Sequence, residues 1–241
     1  MASILETKGC TFGIYHSFIE WGLVLEDYEI SYPEQKKEFI EVPGKFDKYI
    51  DATYAMVDYP VFERRTGKFK LRLLNELIDH TSFSSWQSLV DDMAKKIHGK
   101  KLRIILDEDK QWYYEGYVAI SSATLRSTII GTVEIEANLY PYRRSTNKSI
   151  VRMTKTYDGE YKLTNQYFGR MPTKVSVEIF GTVTDDVVFH VEDAETKKFE
   201  TYSFRDYQSF NVWGSRYNIY ISQKAQNDDF DLLLTYDRGE L

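Results

Sequence analysis

Alternation with a period of two runs through most of this chain and gives way once to a helical period. In residues 68–74, Phe69, Leu71 and Leu73 alternate with Lys68, Lys70 and Arg72, which predicts a strand with one buried face and one charged face. Farther on, Trp86, Leu89, Val90, Met93, Ala94 and Ile97 recur at i, i+3, i+4, i+7, i+8 and i+11, one side of an α-helix. Ser84 or Ser85 can cap its start, Lys95 and Lys96 suit the negative end of its dipole, and Gly99 can close it. Strands are predicted again over 102–106, 112–120 and 128–138, the last alternating Val133, Ile135 and Ala137 with Thr132, Glu134 and Glu136. A polar turn runs from Asp107 to Lys110, and Tyr140-Pro141-Tyr142 stops the final strand. Upstream, residues 10–30 read as two short strands, with bends or bulges at Gly13 and Gly22. The predicted class of residues 1–145 is α+β, β-sheets with one packed helix.

The polar run RRSTNKS at 143–149 separates two periodic regions and marks a domain boundary, giving domains 1–145 and 146–241. Beyond it nearly everything is strand-like. Residues 174–180 alternate Val175, Val177 and Ile179 with polar positions, and short strands follow at 187–191, 199–204, 210–213, 217–222 and 230–236. Short strands joined by polar turns predict a β-sandwich. One stretch fits neither pattern. Residues 38–65 hold a short strand, a Pro43-Gly44 turn, Asp47 and Asp51, then aromatic residues ending in Glu63-Arg64-Arg65. It is too polar for a core strand and too aromatic for a flexible linker. It reads as an ordered arm over a neighbouring surface, in this chain or in another copy.

Composition narrows the function by exclusion. A net charge of −6 argues against nucleic acid as the main partner, and no apolar run approaches the roughly 20 residues of a membrane span. The opening residues, MASILETKGCTFG, read as lacking a signal peptide. Cys10 is the sole cysteine, which excludes an intrachain disulfide and suggests a reducing cytosol. Aromatic residues make up 15%, including 19 tyrosines, a composition suited to sheet packing and wet interfaces.

Candidate chemistry is sparse. His16, His80, His98 and His190 lie in separate elements, none at metal-ligand spacing from another. Cys10 has no nearby base and reads as a small buried residue. The acidic clusters at 107–109 and 227–231 lack the spacing of a calcium loop and read as hairpin turns. No phosphate-binding glycine loop, nucleophile elbow or HExxH is present. Trp112, Tyr113 and Tyr114, like Trp213 and Tyr217, have the rings to stack on sugars but are better read as strand packing. No catalytic residue, cofactor or metal site is assigned, and the chain is read as a non-enzyme.

The order of features resembles the distal tail (Dit) protein family of long-tailed bacteriophages. The matching pieces are HSFIEWGLVL at 16–25, IEVPGKFDKYIDAT at 40–53, Glu63-Arg64-Arg65, KKIHGKKLRIIL at 95–106, DEDKQWYYEGYV at 107–118 and VEIEANLYPY at 133–142. PTKVSVEIFG at 172–181 and FDLLLTYDRGEL at 230–241 look like the family's galectin-like β-sandwich. After Val42-Pro43-Gly44 the family often has a second glycine nearby, where this chain has Lys45-Phe46. The resemblance implies a structural protein of the virion tail tip, assembled in the host bacterial cytoplasm. It implies a hexameric ring joining the tail tube protein to the tail-associated hub protein, which in many phages anchors receptor-binding proteins. The arm would then pack on the adjacent subunit through Pro43, Gly44, Asp47, Asp51, Tyr54, Tyr59, Arg64 and Arg65. The competing expectation is a carbohydrate-binding module for host cell-wall glycans, acting through the second domain and Trp213. A glycan hydrolase would need an acid/base pair that the sequence does not locate.

Overall fold

The computed structural model describes residues 9–41, 49–57, 59–73, 83–127, 130–153, 161–181, 186–204, 208–213, 216–222 and 230–241. The fold is mostly β-sheet with few helices, and it divides after Thr146 into two compact units.

The first unit begins with β1 (Cys10–Phe12), β2 (Tyr15–His16), α1 (Ser17–Trp21) and β3 (Leu23–Ile30). Then come β4 (Phe39–Glu41), β5 (Tyr49–Asp51), α2 (Ala52–Val57), β6 (Arg65–Leu73) and α3 (Trp86–Ile97). It closes with β7 (Lys100–Leu106), β8 (Trp112–Ser127), β9 (Ile130–Leu139) and β10 (Arg143–Ser145). One sheet runs in the order β2-β1-β7-β8-β9-β6-β3, with β10 paired to β8 and β4 paired to β5 apart from it. The alternation in β6 and β9 works as expected. Phe69, Leu71, Val133, Ile135 and Leu139 are buried, and the outer face carries Lys68 opposite Glu136 and Lys70 opposite Glu134. The helix α3 buries Leu89, Met93 and Ile97 in the same core. Ser85 is its cap: its hydroxyl accepts from Ser88 N–H, and the Ser88 hydroxyl closes the capping box.

Residues 10–30 are not two short strands, because a five-residue helix, α1, interrupts them. His16 Nδ1 accepts from the N–H groups of Phe18 and Ile19, and Gly22 at φ 65° ends the turn in the left-handed region. Ser17 and Trp21, one helical turn apart, are fully buried. Trp21 Nε1 donates to Asp92 on α3 at 3.0 Å, and Lys96 bonds both Asp92 and Glu20. A tertiary contact therefore stabilises a helix too short to persist alone.

The second unit holds β11 (Ser149–Met153), β12 (Tyr161–Tyr167), β13 (Thr173–Gly181), β14 (Val187–Asp193) and β15 (Phe199–Phe204). It continues with β16 (Gln208–Val212), β17 (Arg216–Ser222) and β18 (Phe230–Tyr236). Two four-stranded sheets, β11-β18-β13-β16 and β12-β17-β14-β15, share one core. Val175, Val177, Leu232 and Leu234 face Phe189, Val191, Ile219 and Ile221 across it. The strands β11 and β12, absent from the sequence reading, bring Tyr161 into that core, stacked on Phe230 at 4.6 Å with its hydroxyl on the Phe230 carbonyl.

Candidate functional site

The β3–β6 ladder does not end at the sheet. Ser31 N–H donates to the Thr66 carbonyl, Glu63 N–H to Glu34, and Lys36 N–H to Val61, each within 2.9 Å. Gln35 and Phe62 form an antiparallel bridge, and the β4–β5 pair extends the same two limbs outward. The chain thus builds an arm from residues 31–41 and 49–66. On it Tyr32 and Met56 are each 83% exposed, Phe39 61% and Ile40 54%. Large apolar side chains left open on a projecting hairpin mark an interaction surface.

The arm is rooted on the Tyr140-Pro141-Tyr142 motif. Arg64 lies over the Tyr140 ring at 4.8 Å and within 5.5 Å of Tyr117. Lys101 also lies 4.8 Å from the Tyr140 centroid and pairs with Glu115 at 3.2 Å. Arg65 donates through Nη2 to the Pro141 carbonyl and lies 5.5 Å from the Tyr114 centroid. Phe62 meets Tyr142 edge-on at 6.0 Å. Burial, with Tyr59 nearby, pushes the Tyr142 phenol up to about 12. The motif read as a strand stop is thus also the seat of the arm.

Of the residues assigned to the arm, Pro43, Gly44 and Asp47 lie outside the described residues. Tyr54 falls in α2, its side chain outside them too. Asp51 ends β5 opposite Phe39, and Tyr59 stands beside Tyr142. Arg64 is exposed, whereas Arg65 is only 5% exposed. Desolvation holds the Arg65 guanidinium below its ordinary pKa, and Arg143 lowers it further. Arg65 opens β6 in phase with the buried Gly67, Phe69 and Leu71, whereas Arg64 stands before the strand; the sequence reading began the alternation at Lys68 and so missed the difference. Between the returning limb and the outer face of β8 and β9 lies a groove of about 870 Å³. Lys36, Glu63, Arg64, Arg65 and Glu136 line it.

Elsewhere the described polar candidates serve the fold, while His80 and residues 227–229 of the second acidic cluster lie outside the described residues. His16 Nε2 bonds Asp107 at 2.9 Å, His98 Nδ1 accepts from Ile120 N–H, and His190 bonds Thr201. Burial pushes the Cys10 thiol far above the usual thiol range, so it stays protonated. Asp107, Glu108 and Asp109 bond His16, Tyr28 and Arg143. Trp112 and Tyr113 lie under Arg143 and Arg103, and Trp213 donates its backbone N–H to the Tyr217 hydroxyl. Among the described residues no cluster of metal-ligating side chains is present, and no helix is long and apolar enough to cross a membrane.

These features define a two-unit β protein with a projecting arm and a groove at the arm's root. The same fold is seen in the crystal structure of the SPP1 Dit (gp 19.1) protein, presented as a paradigm of hub adsorption apparatus in phages that infect Gram-positive bacteria. The two match with a TM-score of 0.59 at 10% identity, over 97% of this chain and 99% of that one. No protein-family model matches the chain, and no curated relative does.

Proposed function

We propose that this chain is a structural protein of a bacteriophage tail tip, closing into a hexameric ring. One observation carries the reading: the likeness to SPP1 Dit spans nearly the whole of both chains, first and second units together. On this reading residues 1–145 form the ring and residues 146–241 a galectin-like outer domain. The ring joins the tail tube protein to the tail-associated hub protein and offers its outer domain to receptor-binding proteins. The arm, with Pro43, Gly44, Asp47, Asp51, Tyr54, Tyr59, Arg64 and Arg65, packs on the next subunit. The protein works in the virion, after assembly in the host cytoplasm, and not as an enzyme.

Light scattering at several concentrations, alone and with tube and hub proteins, tests this. A closed species at six times the 28.4 kDa chain mass is expected. A chain that stays monomeric in every mixture would sink the ring. Replacing Tyr54 and Tyr59 by alanine should weaken assembly more than alanines on an unrelated face.

A second reading, attachment to cell-wall glycans, has one observation in its favour. On the outer face of the second unit, Tyr220 stands opposite His190, which stacks on exposed Phe199 at 5.2 Å, while Lys162 covers Tyr220. Flat rings flanked by polar side chains suit a sugar ring. This reading predicts that host polysaccharide binds the full chain and that Phe199→Ala abolishes the binding.

A further inference from the structure

The groove at the arm's root has an electrostatic imbalance that its own chain leaves open. Lys36, Arg64 and Arg65 line it, and among the described residues none of the three has a carboxylate within ion-pair distance. Two carboxylates also line it, Glu63 and Glu136, but Glu136 stands opposite Lys68 in the β6–β9 ladder. Positive charge therefore prevails at the arm's end of the groove. Tyr117 and Ala119, on the outer side of β8 opposite Asn138 and Glu136, give the floor its apolar surface. At about 870 Å³ the space lies toward the upper end of the roughly 300–1,000 Å³ of ligand pockets, ample for a few side chains.

The same chain carries a complementary segment. Glu38 and the strand β4 read Glu-Phe-Ile-Glu, and all four residues are exposed. Alternate residues of a strand face opposite sides, so each face of this segment offers one carboxylate and one large apolar side chain. Neither Glu38 nor Glu41 has a side-chain partner among the described residues.

We propose that the groove receives β4 of a second copy, with Lys36 and Arg64 taking the incoming glutamate and Tyr117 and Ala119 meeting the Phe39 or Ile40 side chain that shares its face. This rests on the ring reading above and names the two surfaces that meet. It makes the interface head-to-tail: each copy donates its arm to one neighbour and receives an arm from the other. Such a heterologous contact closes a ring when its rotation closes. Arg65, buried beneath, adds its charge to the groove without reaching the ligand.

Charge reversal on the full chain tests the pairing. Sedimentation equilibrium would follow the wild type, Arg64→Glu, Glu38→Arg/Glu41→Arg and the combined variant, with circular dichroism checking that each stays folded. Both altered residue sets are exposed, so folding should be intact. We expect each charge reversal to raise the dissociation concentration about tenfold or more, and the combination to recover most of the loss. If the wild type assembles but Arg64→Glu has no effect, or the combined variant shows no recovery, this docking is overturned while the ring survives. A wild type that stays monomeric throughout overturns both.

Discussion

At the scale of single residues, the chain places polar atoms where a local backbone needs them. His16 caps α1 through Nδ1 while its Nε2 holds Asp107, whose side chain is nearly buried and, among the described residues, has only Lys110, at 3.7 Å, as a further ion-pair partner. His16→Ala removes the cap and leaves the carboxylate short of a donor. It should cost about 1–3 kcal/mol of stability by chemical denaturation. Gly116 is constrained differently. A Cβ there would overlap the carbonyl oxygen of Asn138 and the Cα of Leu139, where β8 passes β9. Both obstacles are backbone and cannot swing away. Gly116→Ala should therefore lower stability by about 1–3 kcal/mol, seen as a drop in melting temperature. An unchanged melting temperature would mean that the strands are farther apart than described.

Elements show where pattern suffices and where it does not. The helix α3 was legible because its apolar residues repeat over three turns and a serine stands at its start. Met93 is fully buried between that helix and the sheet, so Met93→Ala should cost about 2–5 kcal/mol, while Gln87→Ala on the exposed side should change little. Both can be read from denaturant midpoints. The helix α1 was not legible. Five residues give too little periodicity, and its reason for existing is Asp92 and Lys96, some seventy residues along the chain. Strands β11 and β12 were missed for a related cause. Their exposed positions outnumber their buried ones, so the alternation is faint until the partner strands β18 and β17 are known.

The whole molecule responds to pH and salt through groups from different elements. Hydrogen bonding to Glu108, then burial, pushes the Tyr28 phenol up to about 12; burial does the same for Tyr142 and Tyr217. A phenol whose folded pKa lies above its unfolded value of 10.0 stays neutral in the fold after the unfolded chain would ionise it. Its contribution is complete below pH 10 and is lost as pH rises toward 12. Stability should hold through neutral pH and fall across that window, with the last part of the phenolate absorbance appearing together with unfolding. Phenolate absorbance complete by pH 11 in a still-folded chain would contradict this. Assembly should respond to salt. If Lys36 and Arg64 bind carboxylates of a neighbour, raising ionic strength from about 0.1 to 1 M shortens the screening length from about 10 to 3 Å and should weaken the oligomer. An oligomer that strengthens with salt would point to an apolar interface.

Sequence alone determined the alternating strands, the long helix with its serine start, the predominance of β structure in the second half and the singularity of residues 38–65, which fit neither period. Each of these depends on periods and turn residues that act between near neighbours. What the two adjacent arginines meet was decided only by the tertiary structure. Arg64 stays at the surface over Tyr140, and Arg65 turns inward to the Pro141 carbonyl, because β9 delivers Tyr140-Pro141-Tyr142 to the root of the arm. The groove arises in the same way, from β8, β9 and the returning limb meeting across long separations in the chain. No local pattern encodes such a meeting; burial and charge neighbours exist only once the sheet has closed its register.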